Sequence, residues 1–215
     1  MTRPRPRVLA VGGTSHAGKT SVGRYLATSL TWAHVPTDRL AKHPGRPWGA
    51  LPGVDPPAHV VSHYESHTPS DLTDLLLTHF ASMRDVVTDA VLTSLRSSPG
   101  VVIEGSALWA GVNIAPGIPA FSRWLIIDPD QLWQRLQAES QYSKQPSPAQ
   151  VRIEAFRDRS IAYQERLVNA LHASGLEHSA ICLTGIESTR DIADLFISDF
   201  TRRTSPDDGD TVDQW

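Results

Sequence analysis

Apolar residues fall into two kinds of segment along the chain. Val8–Val11, Val101–Ile103, Phe121–Ile127 and Ala180–Leu183 are short, mostly apolar runs. Runs of this length predict buried strands. Between them, apolar residues recur at three- and four-residue steps, the spacing of one helix face. Ser21–Leu30 brings Val22, Tyr25, Leu26 and Leu30 together in this way. Asp71–Ser98 carries Leu72, Leu75, Leu76, Phe80, Met83, Val87, Ala90, Val91 and Leu95, and it predicts one long helix. Ser70 is its expected cap, and Pro99-Gly100 stops it. Asp128-Pro129 opens another helix, with Asp at the cap, Pro at the first position and Leu132, Trp133 and Leu136 inward. A polar break over Gln141–Ser147 precedes a long helix from Ser147-Pro148 to about Ser174, and Thr189–Phe200 closes the chain. Strands alternating with helices imply an α/β fold with a parallel sheet.

Lys42–Pro69 breaks the pattern. Pro44, Pro47, Pro52, Pro56, Pro57 and Pro69 lie here with Gly45, Gly49 and Gly53. Long regular structure is excluded between Pro44 and Pro57. A connection this long in a compact domain is usually functional. Ser106–Ile118 reads as a second loop, with Trp109 near the expected substrate side.

Composition narrows the class only modestly. The 215 residues are 40% hydrophobic and 20% charged, as in an ordinary soluble globule. A net charge of −3 gives no bulk attraction for nucleic acid or membrane. Cys182 is the single cysteine, so an intramolecular disulfide and a cysteine zinc cluster are excluded. Its apolar surroundings assign it to the core. No stretch reaches the length of a membrane span. The basic Met1–Arg7 reads as a loose tail rather than a signal peptide, and the acidic Thr204–Trp215 as a second tail. A cytoplasmic protein is expected.

The chemistry centres on Gly13-Thr14-Ser15-His16-Ala17-Gly18-Lys19-Thr20, which fits G-x-x-x-x-G-K-[ST]. Such a loop wraps an anion with inward-pointing backbone N–H groups, and glycine permits the required backbone angles. Lys19 is placed to reach the β- and γ-phosphates and Thr20 to ligate Mg²⁺. The helix opening at Lys19 and Ser21 adds its positive end. The order strand, glycine loop, helix is the context this motif requires. Glu104 ends the run Val101-Val102-Ile103, where a carboxylate can position the metal. Asp38 follows Ala33–Pro36, a poor strand by propensity. Asp38 is either a base toward an attacking hydroxyl or a helix N-cap.

Other residues carry open alternatives. Arg39 and Arg46 suit either an anionic substrate or a solvated surface. His59, His63 and His67 stand at i, i+4 and i+8 without an HExxH pattern, so a structural or substrate-pocket stripe is favoured over a metal site. His63 and Tyr64 are candidate substrate contacts. Arg152, Arg159 and Arg166 share a helix face, either as a solvated stripe or as a lid that swings arginines onto a phosphate.

Taken in order, "GGTSHAGKTS", "PTDRL", "VVIEGSALWAG" and "FRDRSIAYQERL" resemble the small-molecule kinases of the P-loop superfamily. The nearest pattern is 2-phosphoglycerate kinase, alongside chloramphenicol phosphotransferase, shikimate kinase and nucleoside monophosphate kinases. The resemblance implies a three-layer α/β/α fold with a five-stranded parallel sheet in the order 2-3-1-4-5. It implies one domain over residues 7–200, with a helical substrate-binding insertion at about 39–98 and a lid at about 137–160. Tails occupy 1–6 and 204–215. It further implies ATP with Mg²⁺, and transfer of the γ-phosphate to a hydroxyl of a small molecule. Lys19 and Thr20 then hold phosphates and metal, Asp38 is the base and Glu104 supports the metal. Arg135 lies near the nucleotide, Arg159 is the lid arginine, and the loop Thr184–Ser188 borders the base. His43–His67 departs from a phosphoglycerate pocket, which points to another metabolite or an antibiotic. A GTPase would need an [NT]KxD motif, which is absent. An ATP-binding sensor without phosphotransfer is the alternative.

Overall fold

Five strands form one parallel sheet: β1 Val8–Gly13, β2 Ala33–Pro36, β3 Val101–Glu104, β4 Ala120–Ile127 and β5 Ala180–Leu183. Their order is β2-β3-β1-β4-β5, the order the resemblance implies, and every neighbouring pair is parallel. The structure, a computed structural model, describes residues 6–40, 45–184 and 187–204. Most of both expected tails, the first part of the Pro-rich segment and the middle of the loop 184–188 lie outside the described residues.

Side chains alternate across the sheet because successive residues of a strand point to opposite faces. Val8, Ala10, Val101 and Ile103 face one way. They pack with Val87 and Val91 of α4 (Arg84–Ser94) and with Leu167 and Leu171 of α6 (Ser147–Ala173). Leu9, Val11, Val102, Leu125 and Ile127 face the other way. They meet Val22 and Leu26 of α1 (Lys19–Leu30) and Ile192 and Phe196 of α7 (Thr189–Thr204). The result is three layers, α/β/α. Ala33–Pro36 forms a strand despite poor propensity, because it pairs along β3 and buries Val35.

Three expectations are corrected. The long helix over Asp71–Ser98 is two helices, α3 (Pro69–Ser82) and α4, meeting at Met83. Ser82 Oγ donates to the His79 carbonyl at 2.7 Å, and Met83 N shares its hydrogen between the His79 and Phe80 carbonyls at 3.2 Å each. Back-bonding of this kind bends a helix. The bend lets α3 pack on α6 while α4 packs on the sheet. The cap is Thr68 rather than Ser70: Thr68 Oγ1 accepts from Asp71 N, and Asp71 Oδ2 accepts from Thr68 N, a full capping box with Pro69 at the first position. Cys182 is exposed rather than core, since β5 is an edge strand and this side of it is uncovered.

The Pro-rich insertion and the start of α6 share a core of their own. Val60 and Tyr64 of α2 (Ala58–Glu65) and Leu72 of α3 pack with Leu136 of α5 (Pro129–Ser140) and with Ile153 and Phe156 of α6. The arginine stripe of α6 is therefore divided in role. Arg152, buried, pairs with Asp55 at 2.5 Å and Glu65 at 2.8 Å, tying the insertion to α6. Arg166 pairs with Asp74 on α3. Only Arg159 of the three borders a cleft. Arg152 is thus an anchor and not a swinging group. Arg152→Ala is expected to lower unfolding free energy by about 2 kcal/mol, since the carboxylate partners Asp55 and Glu65 are exposed and rehydrate. Urea unfolding checks this.

Candidate active site

The C-terminal ends of parallel strands leave a crevice where the strand order reverses. Here the ends of β1, β2 and β3 stand level, with Val11 and Pro36 both in register with Glu104. A cleft of about 620 Å³ opens above them. Its lining includes Ser15, His16, Gly18, Lys19, Thr20 and Ser21 from the glycine loop and first turn of α1, Asp38 after β2, and Arg46 from the insertion. Arg135 and Glu139 of α5 and Arg159 of α6 complete the charged wall.

Backbone geometry explains the loop. Gly18 has φ 85°, a left-handed conformation that lets the chain turn directly into α1. Gly105 has φ 144°, and a Cβ there would sit 1.7 Å from Thr37 Oγ1. Glycine after Glu104 therefore lets the end of β3 approach the turn that carries Asp38. The loop is tied to both helices around it. Thr14 Oγ1 donates to the Ser160 carbonyl at 3.0 Å, and Arg135 donates to the His16 carbonyl at 2.9 Å.

Lys19 is buried, and its Nζ donates to the Thr14 carbonyl at 2.5 Å. Burial lowers its pKa, opposed by the carboxylates of Asp38 and Glu104. Glu104 is 2% exposed, and Thr20 Oγ1 donates to its Oε2 at 3.2 Å. Burial raises the Glu104 pKa, against the pull of Lys19 and the Thr20 hydroxyl. Arg159 is buried too. It donates to the Tyr64 hydroxyl at 3.2 Å, lies 4.2 Å over the Phe156 ring, and leaves its Nε without a hydrogen-bond partner among the described residues. A buried guanidinium with an unmet donor suits an anion as ligand.

His16 is the unusual member of the loop. Its ring packs edge-on against Phe156 and tilted against Trp48 of the insertion. Glu139 Oε2 lies 3.0 Å from Nε2, yet among the described residues neither ring nitrogen has a hydrogen-bond partner of good geometry, and Glu139 also pairs with Arg46. Burial, then the charges of Arg46, Lys19, Arg159 and Arg135, push its pKa down to about 4. The ring is neutral at pH 7. Below its ordinary value near 6.5 the unfolded chain binds a proton that the folded chain refuses. Stability from this site is therefore present above about pH 6.5 and lost as pH falls toward 4. His16→Gln should flatten melting temperature against pH across that window relative to the wild type.

Of the residues singled out from the sequence, Ser15, His16, Gly18, Lys19, Thr20, Ser21, Asp38, Arg46, Arg135 and Arg159 line the cleft. Ala17 and Thr14 are buried in the loop's underside, and Gly13 ends β1. Glu104 lies beneath, in contact through Thr20. Arg39 and His63 do not line the cleft, and Tyr64 stands behind it, positioning Arg159. The histidine stripe is broken: α2 ends at Glu65, and His67 Nδ1 instead contacts the His63 carbonyl at 2.9 Å. Among the described residues no cluster of His, Cys, Asp or Glu has the form of a metal site. Sequence reasoning passed over Glu139, although it stands one turn from Arg135 on the same helix face. It also passed over His34, whose Nε2 is 3.8 Å from Glu104 Oε1.

No protein-family model matches the chain, and no curated protein matches it in sequence. Among solved structures, a gluconokinase from Sinorhizobium meliloti 1021 superposes with TM-score 0.51 at 17% identity, over 94% of this chain and 95% of its own. An uncharacterized protein from Eubacterium ventriosum ATCC 27560 gives 0.48 at 12% identity, over 93% and 100% of the two chains. A shikimate kinase from Acinetobacter baumannii, in complex with shikimate, gives 0.43 at 17% identity, over 93% and 94%. The chain shares the fold of that gluconokinase structure, a three-layer arrangement around a parallel sheet in the order β2-β3-β1-β4-β5. Among the described residues no helix is long and apolar enough to cross a membrane.

Proposed function

We propose that this chain transfers the γ-phosphate of ATP to a hydroxyl of a small molecule, with Mg²⁺ as cofactor. The observation that carries the reading is the convergence of Lys19, Arg46, Arg135 and Arg159 with Asp38 on one cleft beside the glycine loop. Four cations around one space match a polyphosphate, and the exposed carboxylate at its edge is available to a hydroxyl.

The donor set fits a hydrated magnesium ion. Hydroxyl and carboxylate oxygens from Thr20 and Glu104 are the hard ligands Mg²⁺ takes, and the buried Thr37 Oγ1, next to Asp38, has no hydrogen-bond partner among the described residues. Bound there by Thr20 and, directly or through water, by Glu104, the ion would neutralise charge on the phosphates. The chain's own groups do the rest. Backbone N–H groups of the loop and the N-terminus of α1 cradle the phosphates. Lys19 leaves the Thr14 carbonyl for a phosphate oxygen, and Arg159 meets the charge on the transferring group. Asp38 accepts the acceptor's hydroxyl proton as that oxygen bonds to the γ-phosphorus and the bond to ADP breaks.

The acceptor is sought by following ATP consumption with Mg²⁺ across hydroxylated metabolites and antibiotics, including 2-phosphoglycerate, shikimate, gluconate and nucleoside monophosphates. A large acceptor-dependent rise supports the kinase reading; tight ATP binding with no response to any hydroxyl compound favours a sensor. Asp38→Asn should keep ATP affinity within a few-fold and lower transfer by about 10²-fold or more. Full transfer by Asp38→Asn removes Asp38 as the base.

A further inference from the structure

A second cavity, of about 270 Å³, lies beside the phosphate cleft. Its walls are Leu77 and Phe80 of α3, Val87 of α4, and Trp109, Val112 and Ile114 of the loop after β3. Polar lining is sparse, with Arg84 and Asn113 the residues that supply it. Arg84 is exposed and makes no ion pair among the described residues.

The two spaces adjoin. Phe80 lines both, and Ser106 of the cleft is followed by Ala107 of the cavity. The cavity is also held open by its surroundings. Trp109 is set edge-on against Tyr163 at 5.5 Å, and the Tyr163 hydroxyl donates to the Ser106 carbonyl at 2.6 Å. Trp124 Nε1 donates to the Leu108 carbonyl at 2.8 Å, and Thr88 Oγ1 to the Ile114 carbonyl at 2.9 Å. The loop is therefore pinned to β4, α4 and α6, and its apolar side cannot close by a simple side-chain shift. A preformed apolar cavity with a few polar groups, opening toward a reactive cleft, is the form of a ligand subsite.

We infer that this cavity receives an apolar arm of the phosphate acceptor, so that the acceptor is an alcohol carrying an aryl or branched alkyl group rather than an all-polar sugar acid. The inference rests on the kinase reading above and deepens it. A cavity of about 150 Å³ is enough for benzene, so this one holds an aromatic ring with a substituent. The hydroxyl would remain at the cleft side, near Ser106, where Asp38 and Arg159 line the wall. Arg84 and Asn113 are left to take a polar end of the same arm.

The test pairs two acceptor probes that differ only by a phenyl ring, 3-phenyllactate and lactate, on the full chain saturated with magnesium and a non-hydrolysable ATP analogue. Affinity is read by calorimetry and location by methyl NMR. The expected result is binding of 3-phenyllactate about 10–100-fold tighter than lactate, the worth of burying one aromatic ring. Methyl shifts should fall on Leu77, Val87, Val112 and Ile114. Ala81→Trp fills the cavity from an exposed helix position. It should abolish the difference between the probes while leaving affinity for the ATP analogue unchanged. Equal affinities, or a preference that survives Ala81→Trp, with the ATP analogue still bound, would overturn the subsite alone. Failure of the wild type to bind the ATP analogue would overturn the kinase reading instead.

Discussion

Arg159→Met is expected to abolish most phosphate transfer while leaving the protein as stable as before or more so. The two effects have one cause. Arg159 is 3% exposed, has no carboxylate partner among the described residues, and leaves Nε unbonded. Its guanidinium donates to the Tyr64 hydroxyl, which itself also donates to the Gly45 carbonyl. Burial lowers its pKa, with Tyr64 and Tyr163 opposing, which marks a cation held against its solvation. Such a group costs stability that an apolar side chain of similar length returns, by about 1–4 kcal/mol in comparable replacements. A cation aimed at a transferring phosphoryl group contributes about 10³-fold or more to turnover. Rate and urea midpoint should therefore move in opposite directions. A variant that unfolds, or one that keeps activity within about tenfold, would show that Arg159 serves the fold and not the phosphate.

Lys19→Ala should lower ATP-dependent turnover by about 10³-fold. The fold should survive, because the loop is also held by Thr14 to the Ser160 carbonyl and by Arg135 to the His16 carbonyl. What is lost is a desolvated ammonium. Its Nζ donates to the Thr14 carbonyl, and the carboxylates of Asp38 and Glu104 oppose the lowering of its pKa by burial. Binding of a fluorescent ATP analogue, compared with single-turnover transfer, separates loss of affinity from loss of chemistry. Turnover within tenfold of wild type would remove Lys19 from the phosphate site.

The strands β1, β3, β4 and β5 and the phosphate loop are local features, and they were legible in the chain; β2 was not, because its pairing with β3 and not its own residues makes it a strand. Apolar runs bounded by turn residues mark the buried strands, and the glycine spacing marks the loop. Asp38 and Glu104 could be located because Asp38 follows, and Glu104 ends, a strand whose C-terminal end faces the loop. What escaped depends on contacts distant in sequence. The bend at Met83 arises because α3 follows α6 while α4 follows the sheet, and a continuous apolar stripe conceals that change of partner. Arg152, Arg159 and Arg166 look equivalent at seven-residue steps. Asp55, Glu65 and Asp74 claim the outer two, leaving the middle one for the cleft. The exposed side of Cys182 follows from the position of β5 at the sheet edge, which composition does not record.

On the proposed function, the cleft moves phosphate from ATP to an alcohol. Its most direct test does not depend on the identity of the acceptor. The protein is incubated with ATP labelled in the γ-phosphate, Mg²⁺ and a small-molecule metabolite extract, with Lys19→Ala as the control. The expected result is label in an acid-stable organic phosphate ester, formed by the wild type and not by the variant. Label released only as inorganic phosphate, at the same rate with and without extract, would contradict it.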